Sequence, residues 1–116
     1  MAILDYVELP VEQTGPVSAF YHEVFGWHFT EYGPDYTAWE EGPCQVGLNG
    51  VASAEGRRPS AILPILRVED IEAARSAVVK AGGTVTVEIF DFPGGRRFHF
   101  SDPAGLELGC YEPVGS

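Results

Sequence analysis

Val68-Glu69-Asp70-Ile71-Glu72-Ala73-Ala74-Arg75-Ser76-Ala77-Val78-Val79-Lys80-Ala81-Gly82-Gly83 decides the fold, because the chain has written the same phrase before. Its counterpart is Val11-Glu12-Gln13-Thr14-Gly15-Pro16-Val17-Ser18-Ala19-Phe20-Tyr21-His22-Glu23-Val24-Phe25-Gly26. Each stretch runs 15 positions from a valine that ends a strand to a glycine that stops a helix. In the second, Ile71, Ala74, Val78 and Val79 recur at helical spacing as a buried stripe, and Glu69 and Asp70 place carboxylates at the positive end of the helix. In the first, Val17, Phe20, Tyr21, Val24 and Phe25 are the apolar set, with Pro16 suited to a first turn.

Strand signals flank both helices. Residues 3–9 precede the first helix, and runs at 26–32, 36–40 and 44–49 follow it, punctuated by Gly33-Pro34-Asp35 and Glu41-Gly42-Pro43. Residues 61–68 precede the second helix, and runs at 84–90, 96–101 and 106–111 follow it, with Asp102-Pro103-Ala104-Gly105 as the last turn. From Val11 to Gly47 is 36 positions and from Val68 to Gly109 is 41, a difference that fits one longer loop around Asp91-Phe92-Pro93-Gly94-Gly95. The pattern is an α+β chain of two βαβββ modules, residues 3–49 and 61–112, joined by a linker at 50–60 rich in small residues and breakers. A module of about 55 residues buries little core alone. The expectation is one domain, with a ligand in the space between the two sheets.

Composition narrows the function classes. Seventeen acidic against 7 basic residues give a net charge of −10. Such a field repels nucleic acid and anionic membrane, keeps the chain soluble and favours a cationic ligand. No apolar run reaches the roughly 18 residues of a membrane span. The opening Met1-Ala2-Ile3-Leu4-Asp5 lacks a basic leader region, so a cytoplasmic location is expected. Cys44 and Cys110 read as reduced, part-buried thiols rather than a disulfide framework.

Strand alternation sorts the candidate site residues. Val7, Leu9 and Val11, then Val46 and Leu48, then Ile62, Pro64, Leu66 and Val68, then Leu106, Leu108 and Cys110 go beneath the helices. The opposite faces carry Tyr6, Glu8 and Pro10, then Gln45, Gly47 and Asn49, then Leu63, Ile65 and Arg67, then Glu107, Gly109 and Tyr111. Polar groups converging in an apolar cup are what a small-molecule site needs. Glu8 and Glu107 are the candidate catalytic residues, as general acid or base, or as partners of a cationic ligand; the alternative is a solvated rim position or a pair with Arg67. Arg67 is suited to clamp a carboxylate or phosphate, or to neutralise these glutamates. Trp27, Tyr32, Tyr36 and Trp39 line the mouth of the cup or serve as core or interface. His22, His28 and His99 come from different elements without the spacing of a metal site.

Leu9-Pro10-Val11, followed by Phe20-Tyr21 and Val24-Phe25-Gly26-Trp27, resembles the start of a vicinal oxygen chelate module. Val68-Glu69-Asp70-Ile71, Ala81-Gly82-Gly83 and Asp102-Pro103-Ala104-Gly105 resemble the second module of that superfamily of glyoxalases, bleomycin-resistance proteins and extradiol dioxygenases. The resemblance covers nearly the whole chain. It implies two βαβββ modules whose curved mixed sheets form an open, barrel-like cup, commonly in a homodimer. It also implies a divalent metal held by His or Glu on the first and last strand of each module. Those positions here are Tyr6, Gly47, Leu63 and Gly109, which do not keep the ligand set, and the glycines are expected to open space in the floor of the cup. The expectation is therefore binding of a small cationic or aromatic molecule without a cofactor, as in bleomycin-resistance proteins. The alternatives are a metal-dependent lyase, isomerase or dioxygenase using Glu8, Glu107 and Gln45, and a metal-free enzyme with Glu8 or Glu107 as base.

Overall fold

The computed structural model describes residues 2–50 and 62–115; the linker expected at 50–60 lies outside them except for Gly50. The chain divides into two compact units, Tyr6–Ile62 and Leu63–Ser116, the latter joined by Met1–Asp5.

The N-terminal unit contains β1 (Ile3–Pro10, of which residues from Tyr6 onward belong here), α1 (Thr14–Phe25), β2 (Phe29–Glu31), β3 (Tyr36–Trp39) and β4 (Gln45–Asn49). Its strands run in the order β2-β3-β4-β1. β1 and β4 are parallel, and the other neighbours are antiparallel. The C-terminal unit repeats this plan with β5 (Leu63–Arg67), α2 (Ile71–Lys80), β6 (Thr84–Phe92), β7 (Gly95–Ser101) and β8 (Glu107–Pro113). Its order is β5-β8-β7-β6, again with only the first and last strands parallel. The two-module α+β reading therefore holds.

Local chemistry sets the boundaries. Gly26 ends α1 in the left-handed region, at φ 73°, where its N–H donates to the His22 carbonyl at 2.8 Å. That cap costs the following run its first residues, so β2 is shorter than the expected strand at 26–32. Asp70 caps α2 by accepting from the Ala73 N–H at 3.0 Å, and Glu112 accepts from the Ile71 N–H at the same distance. The longer loop expected around Asp91–Gly95 is instead a hairpin: β6 and β7 stay paired through Phe92 and Gly95, and bulges between Val85 and Phe90 absorb the extra length.

The two helices dock differently. α2 buries Ile71 completely against Val68, Phe98 and Cys110, with Leu66, Ala74, Val78, Val85, Ile89 and Phe100 packed around them. Val79, expected in this stripe, is 52% exposed, because it falls a quarter-turn off the seam. Leu106 and Ile62 are also exposed rather than helix-covered, since each precedes the first paired residue of its strand. α1 has no buried residue. Aromatic stacking holds it: Tyr21 lies over Trp27 at 5.4 Å, and Trp27 over Trp39 at 4.1 Å and 6°. Phe20, Val24 and Phe25 face outward.

Burial pushes the Cys110 thiol up to about 11, as its place beside Ile71 and Phe98 requires. Both cysteines are free thiols. Ile71→Ala would leave a cavity at the centre of this cluster and should lower unfolding free energy by about 2–5 kcal/mol. Val79→Ala, on the exposed side of the same helix, should fall within about 0.5 kcal/mol of wild type in denaturant melts.

Candidate functional site

In the N-terminal unit the polar set is built by register. Glu8 stands beside Gly47 and Pro10 beside Asn49 in the β1–β4 ladder; Tyr36 stands beside Asn49 and Ala38 beside Gly47 in the β3–β4 ladder. Tyr6, Glu8, Tyr36 and Asn49 thus share the face opposite the core-facing Leu48. Glu8 is only 6% exposed. Its Oε2 accepts from the Tyr36 hydroxyl at 3.0 Å and its Oε1 from Asn49 Nδ2 at 3.2 Å. The Tyr6 and Tyr36 hydroxyls are 2.5 Å apart. Tyr36 has one hydroxyl proton, which it donates to Glu8, so Tyr6 is the donor in the phenol pair. The order is Tyr6 to Tyr36 to Glu8.

Gly47 makes this possible in a way opposite to the expectation. The space above it is not open, because both phenol oxygens fill it. A Cβ at residue 47 would overlap the Tyr6 and Tyr36 hydroxyls. At Gly109 the nearest atoms to such a Cβ are His99 Cδ2 and Ile65 Cγ1, both at 3.4 Å, which is ordinary contact. Burial first, and then the Glu8 charge and the Tyr6 hydroxyl, raise the Tyr36 pKa far above that of a free phenol.

The C-terminal unit carries a separate set on the face of its sheet opposite α2. His99 and Ile65 stand beside Gly109, and Arg97 and Arg67 beside Tyr111. The Arg97 guanidinium donates to His99 Nε2 from Nε at 3.2 Å and from Nη2 at 2.9 Å. A guanidinium only donates, so Nε2 carries the lone pair and the ring proton sits on Nδ1. Nδ1 lies 3.7 Å from Glu107 Oε2, which accepts from Thr86 Oγ1 at 2.8 Å. Arg97 also lies over the Phe90 and Phe92 rings, at 5.7 and 5.6 Å from their centroids.

The expected residues are thus distributed over two sets. Glu8 meets Asn49 directly and Tyr6 through Tyr36, with Gly47 beneath the phenols and Gln45 beside Tyr6 in the ladder. Glu107, Gly109, Tyr111, Arg67, Leu63 and Ile65 belong to the other set, where Leu63 and Ile65 are buried at 8% and 3%. Arg67 lies near Asp5 at 3.5 Å rather than near a glutamate within its unit. Asp5 was missed because alternation along β1 puts it on the side of Val7. Arg97 and His99 were missed although their alternation with the buried Phe98 was readable. Trp27 and Trp39 line no mouth, being stacked on the helix side of their sheet. Tyr32 donates to Glu40 at 2.7 Å, away from this network.

The family model of the Glyoxalase/Bleomycin resistance protein/Dioxygenase superfamily matches residues 3–109. The chain belongs to that superfamily. A putative glyoxylase, CFP32, of Mycobacterium bovis is 24% identical over 124 residues, covering 93% of this chain but 44% of the relative. This superfamily member thus spans less than half the length of that curated relative. Among solved structures, methylmalonyl-CoA epimerase from Mycobacterium tuberculosis superposes with a TM-score of 0.75 at 17% identity, over 96% of this chain and 87% of the other. A glyoxalase/bleomycin resistance protein/dioxygenase superfamily member from Vibrio splendidus gives 0.69 at 16% identity, over 98% and 100%. At these identities the likeness establishes the fold. No described helix is long and apolar enough to cross a membrane.

The donor chemistry of this chain does not fit the divalent metal that the superfamily implies. Of the four ligand positions, Gly47 and Gly109 lack a side chain, Leu63 offers hydrocarbon, and the Tyr6 hydroxyl is engaged with Tyr36. Nor do three His, Cys, Asp or Glu side chains gather at metal distance among the described residues. The His22 and His28 rings approach to 4.9 Å without a third such ligand.

The contrast between the two glycines is testable. Gly47→Ala should displace the phenol pair and cost about 1–3 kcal/mol by overpacking, whereas Gly109→Ala should cost clearly less in the same melts. A second test uses pH. The Tyr36 pKa is raised on folding, so its contribution to stability is full below the unfolded phenol value of about 10 and is lost as pH rises above it. Difference absorbance at high pH should show one of the five tyrosines resisting ionisation until the chain unfolds, and Tyr36→Phe should abolish that late-titrating phenol.

Proposed function

We propose that this superfamily member binds a small organic molecule against the polar face of its N-terminal sheet, without a resident divalent metal. The observation that carries this reading is Glu8, a carboxylate at 6% exposure held by donors on both oxygens. Burying a charge without partners is costly, so a sequence that keeps one here and surrounds it with Tyr36 and Asn49 has fixed an acceptor in one orientation. A fixed acceptor in a low-dielectric setting suits a ligand with N–H donors, and the net charge of −10 favours cationic ones. The Tyr6 and Tyr36 rings supply the aromatic surface. The same carboxylate can act as a general base, with the phenol pair as its proton path, so turnover of the bound molecule is compatible with the site.

The test joins elemental analysis to ligand screening. Protein purified without any chelator should contain no stoichiometric divalent ion, and cationic and aromatic compounds should raise its melting temperature. One tightly held ion per chain would replace this reading with metal-dependent lyase, isomerase or dioxygenase chemistry. For any compound that binds, Glu8→Gln should weaken affinity by at least about tenfold, the worth of a charge-assisted hydrogen bond. Equal affinity in that variant would remove Glu8 from the site.

A further inference from the structure

Arg67 and Asp5, in the C-terminal unit, form an incomplete pair. Arg67 ends β5 beside Tyr111, on the sheet face opposite α2. Its side chain is 46% exposed, and Nε lies 3.5 Å from Asp5 Oδ2. Among the described residues nothing engages the two Nη groups that form the outer fork. Asp5 is 20% exposed, and its Oδ2 also accepts from the Tyr111 hydroxyl at 2.9 Å. Its Oδ1 is buried and has no hydrogen-bond partner among the described residues.

A buried carboxylate oxygen without a donor is a rarity that calls for an explanation. Here it belongs to a carboxylate whose other oxygen Arg67 Nε approaches. The Tyr111 hydroxyl and Arg67 Nε hold Oδ2 of that carboxylate. The missing group supplies acceptors to the fork and one donor to Asp5. A fully deprotonated anion satisfies the first demand and is repelled by the carboxylate. A cation satisfies the second and is repelled by the guanidinium.

We infer that Arg67 and Asp5 together recognise an acid group that carries its own hydrogen-bond donor, of the class of hydrogen phosphate, a phosphomonoester, or an α-hydroxy or α-amino carboxylate. Two acid oxygens take the planar fork of Arg67. The O–H or N–H of the same ligand meets the Asp5 carboxylate, which selects for that proton. Tyr111 acts as a positioning residue by holding Asp5. The inference rests on the reading of the protein as a small-molecule binder, but not on Glu8.

The test compares inorganic phosphate with inorganic sulfate at pH 7 and constant ionic strength. The two are similar tetrahedral anions, and only phosphate keeps a proton there. Titration is followed through the Nε–H resonance of Arg67 in the nitrogen-15 spectrum and through melting temperature. Phosphate should shift both saturably, and sulfate should bind at least about tenfold more weakly. Arg67→Gln should abolish the phosphate-induced rise in melting temperature, read against that variant's own value without ligand. Asp5→Asn should narrow the preference between the two anions to within about threefold, and if that variant folds poorly, Tyr111→Phe gives the same trend more weakly. Indistinguishable phosphate and sulfate responses, no saturable response, or a response that survives Arg67→Gln would overturn the inference. Because neither anion tests Glu8, Glu8-dependent binding of organic compounds would then still stand.

Discussion

Each unit depends on one pairing: the parallel ladder between its first and last strand, β1 with β4 and β5 with β8. Parallel neighbours cannot be joined by a tight turn, so the chain must leave the sheet and return. The helix makes that excursion and covers one sheet face. The other face is then free to carry polar residues, and the parallel register decides which of them meet. Glu8 reaches Asn49 because Pro10 stands beside Asn49, and Arg67 neighbours Tyr111 by the same kind of match in the second unit.

That constraint explains what was legible in the sequence. The spacing of valine and glycine around each helix reported the modules, because a crossover helix needs a length and a stop. Alternation reported the faces, since Leu48 had to turn from water while Glu8 and Asn49 lay opposite it, and Cys110 did the same in the second unit. Alternation failed at the strand ends. Leu106 and Ile62 have the right parity but no ladder partner to hold it. It failed also at Asp5, whose partners Tyr111 and Arg67 are more than 60 positions away in the sequence, beyond any local periodicity. Gly47 was readable as a position without a side chain, but not as one whose volume two phenols fill. That needed Tyr36, which comes from a neighbouring strand.

The two polar sets solve the same electrostatic problem with different materials. In the N-terminal unit, the Tyr36 hydroxyl and the Asn49 amide donate to one buried carboxylate. In the C-terminal unit, guanidinium groups, a histidine in a fixed tautomer and phenyl rings share a more exposed face, and charge is balanced by proximity rather than by a closed hydrogen-bond shell. One duplicated fold thus presents an acceptor-rich surface in one copy and a donor-rich surface in the other.

The stacking that anchors α1 has an optical consequence. Trp27 and Trp39 are the only two tryptophans of the chain, and they lie face to face at 4.1 Å within the N-terminal unit. All indole emission therefore arises from one coupled chromophore pair, and the C-terminal unit is dark at those wavelengths. Stacked this closely, the two indoles share one rigid asymmetric setting that gives them a near-ultraviolet circular-dichroism signal. Its disappearance marks the moment at which α1 lets go of its sheet.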